Sequence, residues 1–224
     1  MNLFRFIADT LHLSAIILLI YRIHVTRNCI GISYRTQEIF IVTFCLRYLD
    51  LFIYFVSMYN TLMKIFFICA TAYTIYLIRK KRPFCGTYDA AADDFNHYYF
   101  IYPPALLVTI VIHSRFSIID FLWSYSLWLE AVAFIPQIMI LYKMRTVENF
   151  TSHYIGALGC YRFFYILSWV YKYLMGHHIF WTSVITGIVQ TLVFAELVYE
   201  YFRSVKEGKQ RMEIPLRAVA KEDP

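Results

Sequence analysis

Residues 118–141 read IIDFLWSYSLWLEAVAFIPQIMIL, twenty-four residues with only two charges, Asp120 and Glu130. A helix crossing a bilayer needs about 20 mostly apolar residues at about 1.5 Å each. A charge left in hydrocarbon costs from about 3 to more than 10 kcal/mol, so it persists where it lines a cavity or has a partner. The stretch therefore argues for a membrane helix with a polar interior beside it. Six further segments of the same kind lie around it, at about 3–21, 36–56, 62–78, 98–112, 152–173 and 179–202. The fourth of the seven, 98–112, is short and carries Pro103-Pro104, which either kink it or end it.

Composition agrees. The 224 residues are 60% hydrophobic and 16% charged, where soluble domains carry about 25% charged side chains. Water cannot cover that much apolar surface, so lipid must. No Pro/Gly/Ser-rich linker divides the chain, and the expectation is one bundle over 1–202 and a basic tail over 203–224. Met1 to Phe4 lack a basic leader, so the first span is expected to act as an uncleaved targeting signal. The five cysteines are scattered without a CxxC pair, which excludes a disulfide framework or a zinc site. Cys45, Cys69 and Cys160 read as buried small hydrophobes. Without a nucleophile motif, metal-ligand spacing or phosphate loop, no enzyme, metal, cofactor or nucleic-acid partner is expected.

Charge sets an orientation. Fifteen of the 21 Lys and Arg fall in the loops after spans one, three and five and in the tail. Arg115 lies in a loop on the other side, and Lys64 near a span end. By the positive-inside rule the amino terminus is lumenal and the tail cytosolic. That leaves four cations within the apolar spans, Arg5, Arg47, Arg162 and Lys172.

Helical spacing gathers polar residues into stripes. Arg5, Asp9 and His12 share a face of span one, and Arg47, Asp50 and Tyr54 a face of span two. Span five carries Asp120, Trp123 and Glu130. Span six carries Tyr161, Tyr165, Ser168 and Lys172, with Arg162 and Trp169 beside them. In depth these converge on a cavity open to the lumen, positively biased and suited to an anionic ligand. Glu196 and Glu200 fall instead near the cytosolic end. Arg5 and Lys172 lie where snorkelling to headgroups competes with a ligand role. Arg47 and Arg162 are too deep for that, so internal ion pairing competes instead. The tryptophans have an ordinary alternative in the core or the interface belt. His24, His97, His113, His153, His177 and His178 read as solvated loop residues, and only His12 as intramembrane.

A short internal repeat links spans two and six. Thr36 precedes Cys45-Leu46-Arg47-Tyr48 at the same distance that Thr151 precedes Cys160-Tyr161-Arg162-Phe163. Spans one to three and five to seven then form parallel repeats joined by span four, as in SWEET transporters. The Pro136-Gln137 pair resembles that of the PQ-loop proteins. Such a 3+1+3 bundle leaves a small-solute transporter as the alternative function. Four intramembrane cations argue against sugar as the solute.

Several motifs together resemble the ER-lumen protein-retaining (KDEL) receptors. They are Asn2, Arg5, Asp9 and His12, then Gly31-Ile32-Ser33, Arg47-Tyr48-Leu49-Asp50-Leu51-Phe52 and Tyr59-Asn60-Thr61, then Tyr76-Leu77-Ile78, Pro136-Gln137, Thr151-Ser152-His153-Tyr154 and Tyr161-Arg162. The resemblance implies seven helices in a SWEET-like arrangement. It also implies pH-dependent binding of the C-terminal Lys/His-Asp-Glu-Leu signal of soluble ER proteins in the Golgi, and their return to the ER in COPI vesicles. Such a signal is a receptor-read address. The implied location is the ER and cis-Golgi membrane, with the COPI coat and lipid as further partners.

Residue by residue, the resemblance assigns Arg47, Tyr48 and Tyr165 to the terminal carboxylate, Arg5 to the signal's Glu and Lys172 to its Asp. Asp50, Asp120 and Trp123 take the cationic first residue, with Trp169 lining the pocket. His12 senses pH, Glu130 and Tyr161 lock the closed form, and Lys206, Lys209 and Glu196 control the sorting tail. The chain departs from the family with Lys172 for a usual Arg, Asp120 for Glu, Ser168 for Asn and Glu196 for Asp. The acidic end Glu222-Asp223-Pro224 is unusual.

Overall fold

The structure is a computed structural model describing residues 2–53, 55–113, 117–209 and 211–214. Tyr54, Arg115 and the chain from 215 onward, with Glu222-Asp223-Pro224, lie outside the described residues, as do the side chains of Thr146, Asn149 and Arg211. Nine α-helices run through the described residues: α1 (Leu3–Thr26), α2 (Tyr34–Arg47), α3 (Met58–Arg79), α4 (His97–Phe100), α5 (Tyr102–Val111), α6 (Ile118–Val132), α7 (Ile135–Met144), α8 (Asn149–Leu174) and α9 (Trp181–Lys206). A two-stranded antiparallel ladder pairs β1 (Thr146–Glu148) with β2 (Arg211–Glu213). Among the described residues the fold is all-α apart from that ladder. Four helical stretches are long and apolar enough to cross a membrane: Leu3–Thr26, Met58–Arg79, Ile118–Met144 and Trp181–Lys206.

Caps and prolines set the helix boundaries. The side chains of Asn2, Ser33 and Ser57 accept from backbone N–H groups three residues on, starting α1, α2 and α3. α2 ends at Arg47, and a 3-10 turn over Leu49–Phe52 replaces the second half of the expected span 36–56. Pro103 and Pro136 each sit in the first turn of a helix, α5 and α7, where a missing N–H costs nothing. The expected spans 98–112 and 118–141 are accordingly each broken just upstream, at Ile101 and at Ala133-Phe134. The Gln137 side chain then ties α7 to the entrance of α2. It accepts from Ser33 N at 2.8 Å and donates to the Gly31 carbonyl at 2.6 Å, while Gln137 N donates to Thr36 Oγ1 at 3.0 Å.

Successive long helices alternate in direction. Asn2, Ser168 and Tyr59 lie at one end of the bundle, since Asn2 bonds Ser168 on α8 and Tyr59 bonds Asp9 on α1. Arg22, Glu148 and Asn28 lie at the other. α1 packs along α8, and α2 along α6. α3 packs against both α1 and α2, and α9 against both α6 and α8. Glycines permit the close α8–α9 approach, as small residues do between membrane helices. A Cβ at Gly187 would fall 2.3 Å from the Trp169 ring, and one at Gly159 2.3 Å from Val198.

Several expectations about single residues are overturned. Cys45 and Cys69 are exposed and Cys160 half-buried, while Cys29 is the buried cysteine. The first two sit on outward faces of α2 and α3, where a small apolar thiol is compatible with lipid. His97 is fully buried rather than solvated, with Nε2 3.1 Å from Glu38 Oε2. Arg22, counted among loop cations, is 1% exposed because α1 runs on to Thr26. Its guanidinium bonds Glu148 and the Asn28 and Ile30 carbonyls.

Beyond α9 the chain turns back. Met212 and Ile214 are buried, and Ile214 N donates to the Arg145 carbonyl at 2.8 Å. The start of the expected tail 203–224 is thus helix to Lys206, and its next described piece is a strand docked on the α7–α8 connection.

Candidate functional site

Glu130, on α6, has a side chain only 5% exposed. One carboxylate oxygen lies 2.5 Å from Arg47 Nη1 at the end of α2, and the other 3.0 Å from Arg162 Nη2 on α8. Two arginines related by the sequence repeat therefore meet on one acid. Arg47 Nε and Nη2 also donate to Ser126 Oγ at 3.2 Å and to the Ser126 carbonyl at 3.1 Å.

Arg162 Nη2 bonds Gln190 Oε1 on α9 and Tyr161 OH. Gln190 Nε2 donates to Tyr161 OH at 3.0 Å, and Tyr161 OH donates to Glu130 Oε1 at 3.4 Å. The buried Arg162 Nε has no partner among the described residues. Two guanidiniums against one carboxylate leave an excess positive charge at the centre of the bundle. Buried charges of one sign are stabilised by an added anion.

His12 lies on this network. Its ring stacks on Tyr161 at 4.3 Å and 8°, with Phe67 and Phe44 on other sides. A void of about 10 Å³ beside it is lined by Gln37, Thr71 and Tyr154 among others, near the size that holds one water.

Towards the Asn2 end, the Asp9 carboxylate turns to α8 and α3. Tyr165 OH donates to one oxygen, Tyr59 OH to the other at 3.4 Å, and Arg5 Nε is 3.9 Å away. Asp50 pairs with Lys64 Nζ at 2.6 Å. Lys64 is buried and belongs to the site, although its place in the sequence reads as a span end. Its ammonium also sits 5.8 Å over the Tyr48 ring.

Trp169 stacks on Tyr165 at 6.1 Å, and Trp123 meets Phe180 edge-on at 5.5 Å. Asp120 is half-buried in the first turn of α6, and Lys172 in the last turn of α8. Arg5, exposed on α1, lies within electrostatic reach of Lys172.

Of the sequence-derived set, the structure brings Arg47, Glu130, Tyr161 and His12 into one cluster and Asp9 with Tyr165 into another. Asp50 is tied to Lys64, away from Arg47's acid. Helical spacing in the sequence does not single out Gln190, Ser126 or Lys64. Gln190 gave a signal, as an amide in the apolar run Gly187-Ile188-Val189-Gln190, and such a group in hydrocarbon needs a partner. At the far end, Glu196 is half-buried and Lys206 exposed. Lys209 lies 3.1 Å from Glu207 and 3.0 Å from Glu213, and Arg203 meets Glu200 and Glu207.

Comparison with known proteins places these residues in context. A model of the ER lumen protein retaining receptor family matches residues 28–172. An ER lumen protein-retaining receptor of Plasmodium falciparum is 44% identical over 217 residues, 96% of this chain and 98% of that protein. ER lumen protein-retaining receptor B of Arabidopsis thaliana is 39% identical, over 96% of this chain and all of its own length. A Drosophila melanogaster relative of the same description is 40% identical, again over 96% of this chain.

Proposed function

Since the chain belongs to the ER lumen protein-retaining receptor family, we propose that its ligand is the C-terminal Lys/His-Asp-Glu-Leu signal of soluble ER proteins. The family is one of retention receptors, not enzymes. The observation that carries the ligand reading is the excess positive charge: Arg47 and Arg162 share Glu130, and Lys172 stands at the Asn2 end with Arg5, whose contact with Asp9 is 3.9 Å long. A signal ending in two acidic side chains and a free carboxylate supplies the missing anions. Planar guanidinium matches carboxylate bidentately.

In this reading Arg47, Tyr48 and Tyr165 take the terminal carboxylate, Arg5 the signal's Glu and Lys172 its Asp. Asp50, Asp120 and Trp123 take the first residue, with Trp169 as a wall. The contacts now made by Arg47 with Glu130, and by Tyr165 with Asp9, are those the ligand exchanges for its own.

The chain is a multi-pass membrane protein of the secretory pathway. Seven spans in a 3+1+3 arrangement account for the alternating helices. Exchanging α1–α3 with α6/α7, α8 and α9 maps the α1–α8 contact onto α6–α2, and the α3 contacts onto those of α9. That symmetry supports parallel repeats. The Arg22 end carries Arg27, Arg35, Arg79, Lys80, Lys81, Arg82, Lys143, Arg145, Arg203, Lys206 and Lys209, which supports a cytosolic face there and a lumenal face at Asn2.

His12 is the pH sensor. It stacks on Tyr161, among Glu130, Arg47 and Arg162. Protonation in the acidic Golgi adds a positive charge that an anionic peptide offsets, so proton and peptide promote each other's binding. Closure, locked by Glu130 and Tyr161, exposes the basic tail around Lys206 and Lys209 to the COPI coat, with Glu196 restraining it when the receptor is empty. The cargo then returns from the cis-Golgi to the ER.

The test is binding of a fluorescent peptide ending in this signal to purified receptor, at acidic and neutral pH. An amidated terminus is the control. Acid-dependent binding that amidation abolishes is expected. Equal binding of the amide would refute the carboxylate role of Arg47.

A further inference from the structure

Four consecutive cations, Arg79, Lys80, Lys81 and Arg82, close α3 at the Arg22 end. Several cations near them at that end have acid partners: Arg22 has Glu148, Lys143 has Asp94, Arg203 has Glu200 and Glu207, and Lys209 has Glu207 and Glu213. None of the four makes an ion pair among the described residues, and all are exposed. Arg79 instead lies 4.5 Å over the Tyr34 ring and donates to its hydroxyl at 3.4 Å.

Arg79 and Lys80 rim a groove of about 470 Å³ lined also by Tyr34, Ala72, Ile75 and Tyr76. Its upper edge offers two cations and a phenol. Its floor, one to two turns down α3, is apolar and outward-facing, with Ala72 exposed and Tyr76 48% exposed. An amphiphile is the ligand that satisfies both parts. A soluble anion leaves the floor uncovered, and a neutral lipid leaves the rim unpaired.

We propose that this groove seats the phosphate headgroup of an anionic phospholipid on Arg79 and Lys80, with an acyl chain along Ala72, Ile75 and Tyr76. The inference rests on α3 crossing the membrane with Arg79 at the interface, where basic clusters recruit anionic lipids. It places a lipid site on the face opposite to the signal-binding pocket and independent of it.

The test uses full-length receptor in phosphatidylcholine nanodiscs doped with fluorescent phosphatidylinositol phosphate, with peptide binding read on the same sample. Two cations at about 1 kcal/mol each predict roughly thirtyfold weaker lipid binding in Arg79→Gln/Lys80→Gln. Ala72→Trp, which fills the floor without touching a charge, should also weaken it. Signal-peptide affinity should stay unchanged in both. Lipid binding unaltered by either change overturns the proposal. So does equal competition by soluble inositol phosphate, which would mean that only the anion is read. Lipid binding without any signal-peptide binding in the unaltered protein would instead sink the receptor reading and leave this site standing.

Discussion

Replacing Glu130 by glutamine tests the centre of the bundle most directly. The carboxylate is shared by Arg47 at 2.5 Å and Arg162 at 3.0 Å, and the three side chains are 5%, 16% and 7% exposed. Glutamine keeps one acceptor oxygen and sets an NH2 donor against a guanidinium where the other oxygen was. At least one arginine is then left buried without its counter-charge. Breaking one side of a buried pair costs about 3–5 kcal/mol. For a chain of this size each kcal/mol shifts Tm by about 2–4 °C, so a fall of about 6–20 °C is expected. The assay is thermal unfolding of purified protein at neutral pH without peptide, followed by tryptophan fluorescence. Glu130→Asp, which keeps the charge on a shorter arm, should fall between the two. Saturating signal peptide should raise the Tm of the glutamine variant, because ligand carboxylates replace the lost charge. A Tm within about 2 °C of the unaltered protein, less than 1 kcal/mol would give, refutes the idea that Glu130 neutralises buried arginines.

Arg47→Ala should remove signal binding while membrane insertion is retained, a loss of several kcal/mol from an unpaired ligand carboxylate; unchanged peptide affinity would leave Arg47 as Glu130's partner alone. Lys172→Arg should tighten binding of signals with Asp at the second position, since a fork replaces a point charge; weaker binding in a titration would mean the pocket is built around lysine. In His12→Ala, peptide affinity should no longer fall between pH 5 and 7.5, the window spanning an unperturbed imidazole near ~6.5; retained release at neutral pH would place the sensor elsewhere. Gly187→Ala should destabilise the α8–α9 seam by about 1–3 kcal/mol through overpacking, because its Cβ would sit 2.3 Å from Trp169; an unchanged melting curve would show that the ring moves freely.

The helices were legible because the signals are local. Apolar length marks a span, and the paired prolines at 103–104 mark a kink or an end. Placing that break, and the one before Pro136, needed a further step, that a proline in an apolar run begins a helix as readily as it kinks one. The region around Arg22 failed for a related reason. Hydrophobicity fades at Tyr21, yet α1 runs five residues further and carries Arg22 inside against Glu148, 126 residues away. Burial of a cation at a helix end depends on a partner that local sequence does not name.

The same limit divides the site. Spacing identifies which residues share a face, and it rightly put Arg47, Glu130, Tyr161 and His12 towards the interior. It does not say which residue on one helix meets which on another, because that depends on rotation and depth of separate helices. Asp9 was expected beside His12 on the strength of one helical turn, yet its carboxylate is taken by Tyr165 and Tyr59 from two other helices. Asp50 stood one turn from Arg47 and is held instead by Lys64. In both cases the short contacts of an acid come from a packed neighbour: Asp9 keeps only a 3.9 Å contact with Arg5, and Asp50, in the turn after α2, turns to Lys64 on α3. That choice leaves Glu130 alone between two arginines. The positive excess suited to an anionic ligand is thus a property of how α2, α6 and α8 pack, more than of any one helix's sequence.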